Sequence, residues 1–218
     1  QRLGLPHEAG WREEAFAALP EGLWEAGVLR LNTGCPQRCL YCAAALLIPN
    51  FQAGDPQAVF DVLARMHRAW GTRAFAFYDD ALLTGWPEVL APFLERVIAS
   101  RLPLSFYAPI GLQAALLEPS LAVLMRRAGF RELGLGVESC SADFHRRLDR
   151  KLEPDRLPRA LEALLSAGFS PREITGYILA GLPGQRREEV EESLVRTAAL
   201  GIRVQVTDCL LYTSDAAD

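Results

Sequence analysis

The chain has 218 residues, half of them hydrophobic, which is enough to bury a substantial core, and 23 Lys and Arg stand against 27 Asp and Glu for a formal charge of -4. That balance lacks the basic excess of a chain that tracks phosphate backbones, so nucleic acid is disfavoured as a partner. No uninterrupted apolar run reaches membrane-spanning length, and Gln1 to Pro6 lack the basic-then-apolar layout of a signal peptide, so a soluble, cytoplasmic protein with no membrane partner is expected.

Residues 1–27 are polar and punctuated by Pro and Gly, and read as a lead-in or linker. Residues 28–208 then alternate short apolar runs with segments of helical period and read as one core. The apolar runs predict strands at Val28–Asn32, Ala74–Tyr78, Leu104–Tyr107, Glu132–Val137, Ile174–Leu179 and Ile202–Val206. Between them, helices are predicted over Pro56–Trp70, Pro87–Arg101, Pro119–Ala128, Pro154–Ala167 and Glu188–Leu200, several opening on Pro and two stopping before Gly129 and Gly168. Residues 209–218 continue neither pattern and are expected to be a tail foreign to the core; with a start on Gln, both ends read as cut. Strand followed by helix through six strands fits an α/β fold, a partial (βα)6 TIM-like barrel of parallel strands with outer helices, better than a doubly wound sheet. Reactive groups in such barrels gather on the loops that follow the strands. The unusual residues fall there: the cysteines, Asp79 and Asp80, Glu138, and Gly181 to Gly184.

Five cysteines, three of them within Cys35–Cys42, do not pair into a secreted disulfide framework and suit metal ligation in a reducing compartment. The loop after the first strand reads Thr33-Gly34-Cys35-Pro36-Gln37-Arg38-Cys39-Leu40-Tyr41-Cys42. Three thiolates on one tight loop can wrap one face of an iron–sulfur cubane. Such clusters usually take four cysteines, so three leave one iron open, as substrate-binding metal chemistry requires. The alternatives are a zinc loop borrowing a fourth ligand and buried structural cysteines; zinc would need a nearby His or Cys, and the loop contains no further one.

The order Cys-Pro-Gln-Arg-Cys-Leu-Tyr-Cys, with an aromatic before the third cysteine, resembles the signature of the radical S-adenosylmethionine (SAM) superfamily. Phe75–Leu83, Leu133–Glu138 and Tyr177–Gly184 extend the resemblance, which runs from Leu31 to Val206 and is most similar to the branch whose members often carry an N-terminal cobalamin-binding domain. The resemblance implies a [4Fe-4S] cluster on Cys35, Cys39 and Cys42, with SAM chelated by the open iron and reductively split to a 5'-deoxyadenosyl radical. It implies a small-molecule substrate, an electron donor such as flavodoxin or ferredoxin, and cobalamin-dependent methylation if a cobalamin domain precedes this chain. Methylthiotransferase-like RNA modification is an alternative enzyme, disfavoured by the acidic balance. A non-catalytic iron–sulfur electron carrier would call for four cysteines, and a zinc module is the structural alternative.

The resemblance also implies cofactor contacts. Tyr41 is expected near the adenine, or else packed behind its loop. Asp79 and Asp80 would face the methionyl ammonium, though Tyr-Asp-Asp stands where many relatives carry Gly-Gly-Glu; helix capping or a solvated turn is the plain alternative. Glu138 would touch the ribose or methionine, or else pair with Arg150 or Lys151, and Lys151 is itself a weaker candidate for the cofactor carboxylate. Gly181, Leu182, Pro183 and Gly184 form a turn whose backbone can approach the adenine, or simply a tight strand-to-helix turn. Gln185 and Ile110 replace residues common in relatives, Glu and Asn. His7, His67 and His145 read as surface or helix residues, Cys140 as a small core residue, and the Arg146-Arg147 and Arg186-Arg187 pairs as solvated helix faces.

Overall fold

The computed structural model describes residues 26–149 and 156–209. In chain order β1 (Ala26–Leu29) is followed by β2 (Asn32–Thr33), α1 (Ala44–Leu47), β3 (Gln52–Ala53), α2 (Pro56–Trp70), β4 (Ala74–Phe77), α3 (Leu90–Ser100) and β5 (Ser105–Leu112). Then come α4 (Pro119–Ala128), β6 (Phe130–Glu138), α5 (Ala142–Leu148), α6 (Arg156–Ser166), β7 (Ile174–Ala180), α7 (Arg187–Ala198) and β8 (Arg203–Asp208).

Local chemistry sets the helix bounds where the sequence supplies it. In α2, the Asp55 side chain accepts from the Gln57 N–H, Pro56 occupies the first turn, and Gly71 closes the helix at φ 71°. In α4, Pro119 opens the helix and Gly129 ends it at φ 104°. α3 is the exception. It begins at Leu90 and not at Pro87, because residues 80–89 form successive hydrogen-bonded turns broken by Gly85 at φ 64°.

Six strands form one sheet in the order β1-β4-β5-β6-β7-β8, every neighbouring pair parallel, while β2 and β3 make a separate antiparallel ribbon. β1 starts two residues before the expected core boundary. β5 runs past Pro109 to Leu112, with its register against β6 shifting between Ala108 and Leu112, an irregular stretch where proline's missing N–H is tolerated.

One side of each strand, represented by Leu29, Phe75, Phe106, Leu133 and Ile178, joins a single buried core with residues of α2, α3, α4 and α6, and α7 packs on it through Val190 and Leu194. Phe77, Phe93, Phe106 and Phe130 meet as a ring cluster with centroids 5.5–6.1 Å apart. The other side of the sheet carries Ala74, Ala76, Ser105, Tyr107, Thr175 and Tyr177, all half-buried. Helices on one face and small or polar residues on the other make a barrel wall, as expected, and not a doubly wound sheet. Among the described residues no helix is long and apolar enough to cross a membrane.

Candidate functional site

The cysteine loop leaves the carboxyl end of β1 and is fastened at its root. Asp79, at the end of β4, is buried and turns its carboxylate back onto the first strand, accepting the Leu31 N–H at 2.9 Å and the Asn32 N–H. Burial pushes its pKa up to about 6, against the opposing pull of those two N–H groups and of Arg30. Buried Asn32 extends the anchorage, donating to the Leu82 carbonyl at 3.4 Å and accepting the Gly54 N–H at 3.4 Å. Gly34 precedes the first cysteine at φ 72°, and a Cβ there would stand 2.7 Å from the Asn50 carbonyl oxygen, so this position requires glycine. Cys35 is half-buried, Cys39 buried and Cys42 exposed; the Ala44 N–H points to Cys42 Sγ at 3.5 Å.

Cys35, Asp79, Asp80, Gly111, Leu112 and Gly136 line one cleft at the carboxyl ends of the strands. Asp80 is part-exposed and pairs with Arg30 at 3.1 Å. Glu138 ends β6 at φ 63°, a left-handed conformation that a residue with a side chain adopts only under constraint. Its carboxylate folds back over Gly136, where an added Cβ would meet Oε1 at 2.8 Å. Arg150 and Lys151, the partners weighed for Glu138, lie outside the described residues.

Tyr41 is packed and bonded at once. Its ring meets Phe144 at 5.9 Å, and its hydroxyl donates to Asp149 Oδ2 at 2.7 Å. Burial, then the negative groups Glu138, Cys39 and Asp149, push its pKa far above the ordinary phenol value, so it stays a neutral donor. His145 is a helix residue, as expected, yet not a surface one. It is buried on α5 between Asp149 Oδ1, 2.8 Å from Nδ1, and the Ser139 carbonyl, 2.7 Å from Nε2. Its i,i+4 spacing from Asp149 was the available signal; Tyr41, which bonds Asp149, comes from 108 residues away in the chain.

The turn after β7 carries Gly181 at φ 87° and Gly184 at φ 74°. Leu182 is buried with Phe144 and Leu179 in a small apolar cluster against which Tyr41 and Cys209 pack, so the turn touches the cysteine loop. Gln185 braces the turn from both directions: its Nε2 donates to the Leu179 carbonyl at 2.9 Å and its Oε1 accepts the Leu182 N–H at 3.3 Å. A carboxylate could not make the first of these bonds. Cys140 packs as expected, against the core beside Ser193 and Thr197. Cys209 directly follows β8, with its N–H donating to the Ala180 carbonyl at 2.8 Å.

Among the described residues no three His, Cys, Asp or Glu side chains gather closely enough to ligate one ion. Cys35, Cys39 and Cys42 on one loop supply three thiols, the donor set of a cluster with one iron left open.

A family model described as the Radical SAM superfamily matches residues 29–196. The GTP 3',8-cyclase of Geobacter sulfurreducens is 29% identical over 157 residues, 71% of this chain and 46% of that protein. Among solved structures, the radical S-adenosylmethionine methyltransferase TsrM from Kitasatospora setae superposes with a TM-score of 0.72 at 16% identity, over 84% of this chain and 34% of TsrM. The cobalamin-dependent S-adenosylmethionine radical enzyme OxsB gives a TM-score of 0.64 at 16% identity, over 82% of this chain and 27% of OxsB. At such identities the likeness to the two structures is one of fold, and the chain spans less than half the length of each of these three proteins.

Proposed function

Because this chain belongs to the radical SAM superfamily, a family of enzymes that use a [4Fe-4S] cluster and SAM, we propose that it cleaves SAM reductively at a cluster held by Cys35, Cys39 and Cys42. The observation that carries this is the loop itself: three cysteines after the first barrel strand, the first of them lining a cleft shared with the ends of β4, β5 and β6. When bound, the cluster supplies an electron to SAM at its open iron, splitting the sulfonium to methionine and a 5'-deoxyadenosyl radical.

The chain's own residues bind, orient and shield. Asp79 anchors the loop's root through the Leu31 and Asn32 N–H groups, which leaves Asp80 as the carboxylate free to turn toward the cofactor ammonium, at the expense of its exposed pairing with Arg30. Glu138, held over Gly136, is the acceptor offered to the ribose or methionine part. Tyr41 and the turn from Gly181 to Gly184 form the side on which the adenine rests, with buried Leu182 its apolar element and Gln185 bracing the turn. Residues 28–208 are the unit that carries this chemistry.

For the whole protein the proposal extends to methylation of a small molecule with cobalamin held by a further domain and electrons from a flavodoxin- or ferredoxin-like donor. Its support is likeness in fold to two proteins, TsrM and OxsB, whose structures are described with cobalamin. Cobalamin titration of the extended protein, followed by absorbance, tests that extension alone.

An electron carrier would need a fourth thiolate. Cys209 is the nearby candidate, its thiol pushed up by partial burial and by Cys42 and Glu138, and its substitution decides whether it ligates. The test is anaerobic reconstitution. Cys39→Ala should lose the cluster's visible absorbance and all release of 5'-deoxyadenosine, whereas Cys209→Ser should keep both. A wild-type protein that holds about four irons yet never releases 5'-deoxyadenosine would overturn the enzyme reading.

A further inference from the structure

A largely buried polar chain joins the cysteine loop to the end of β6. It runs from the Tyr41 hydroxyl to Asp149 Oδ2 at 2.7 Å, from Asp149 Oδ1 to His145 Nδ1 at 2.8 Å, and from His145 Nε2 to the Ser139 carbonyl at 2.7 Å. One end lies between two of the proposed cluster ligands, and the other is the residue after Glu138. The Leu40 N–H adds a backbone tie, donating to the Leu148 carbonyl at 2.9 Å.

The partners dictate the proton count. A carbonyl and an ionised carboxylate oxygen only accept, so both His145 ring nitrogens must donate and the ring is an imidazolium. The side chains of His145 and Asp149 are 7% and 0% exposed, which makes them a buried ion pair with every facing atom bonded. Such a pair is weak evidence of a stabilising role, because well-packed apolar residues of similar volume often hold a fold as well or better. Its placement explains it where stability does not: it connects the segment Cys39–Cys42 to the strained end of β6.

We propose that Asp149 and His145 are positioning residues that lock the Tyr41 phenol, and with it the Cys39–Cys42 segment, against the end of β6, fixing how SAM at the cluster meets Glu138. The inference rests on the radical SAM reading above. A general packing role is distinguishable from it, since Tyr41→Phe would keep the ring contact with Phe144 and remove the bond to Asp149.

The experiment compares wild type, Tyr41→Phe, His145→Gln and the double variant of the full chain, reconstituted with iron and sulfide under exclusion of oxygen. Three quantities are read: iron content, the electron paramagnetic resonance signal of the reduced cluster with and without SAM, and the KM for SAM from release of 5'-deoxyadenosine. Each single variant should keep wild-type iron, show an altered SAM-dependent signal, and raise the KM about tenfold, the equivalent of one lost charge-assisted hydrogen bond. The double variant should be no worse than the worse single one, because both cut the same chain. Unchanged signal and KM in Tyr41→Phe, even with a lowered melting temperature, would overturn the proposal, as would additive effects. Should His145→Gln fail to fold, Tyr41→Phe decides alone. A wild-type protein without iron or without 5'-deoxyadenosine release is a different failure, that of the radical SAM reading, and removes both.

Discussion

Asp79 and Asp80 are adjacent in the chain and opposite in environment. The first is buried and satisfies two backbone N–H groups; the second is part-exposed and pairs with Arg30. Removing Asp79 strands buried donors, so Asp79→Ala should lower unfolding stability by about 2–3 kcal/mol. Asp80→Ala should lower it by less than about 1 kcal/mol, as exposed ion pairs do. Urea unfolding of both variants checks the contrast, and equal losses would contradict the anchoring role of Asp79. His145 gives a pH signature. Burial favours its neutral ring, but the bonds to Asp149 and to the Ser139 carbonyl outweigh burial and raise its pKa. A raised histidine contributes fully below its unfolded pKa of about 6.5 and loses that contribution as pH climbs through the folded value. The melting temperature of the wild type should therefore decline above pH ~6.5 more steeply than that of His145→Gln.

Within β6, two glycines predict different outcomes. A Cβ at Gly134 would stand 2.4 Å from the Tyr177 ring, so Gly134→Ala should force the sheet to shift and lose about 1–3 kcal/mol. A Cβ at Gly136 would meet only the terminal Oε1 of Glu138 at 2.8 Å, an atom that can move away. Gly136→Ala should hold its melting temperature and weaken SAM affinity, measured by calorimetry; the reverse pattern would put Glu138 outside the site. The elements were legible to the extent that their signals are local. α2 and α4 fall on their expected bounds because proline and glycine mark both ends. The strands were readable from apolar runs, and the cysteine spacing from the sequence itself. The start of α3 was not, since the turn chemistry around Gly85 overrides Pro87, nor was the β2–β3 ribbon, which is two residues per strand. The buried His145–Asp149 pair was not legible, because burial is a tertiary property and Tyr41, which bonds Asp149, comes from a loop 108 residues away. The left-handed Glu138 escaped because no residue type announces it.

Across the whole molecule, β5 to β8 are each laid beside the strand before them in the chain, whereas β1 pairs with β4 across the connection that carries the cysteines. β1 is also short, with four residues, against nine in β6. A short edge strand closing a long connection opens more readily than a central one. The thiols are thus moored to the margin of the sheet that detaches first. Amide hydrogens of Ala26–Leu29 should exchange with solvent well ahead of those of Phe130–Glu138 in metal-free protein, and loading with iron and sulfide should slow the former and leave the latter unchanged. Cluster delivery and the docking of the outermost strand then become one event, and a chain awaiting its metal already has five-sixths of its sheet assembled to receive it.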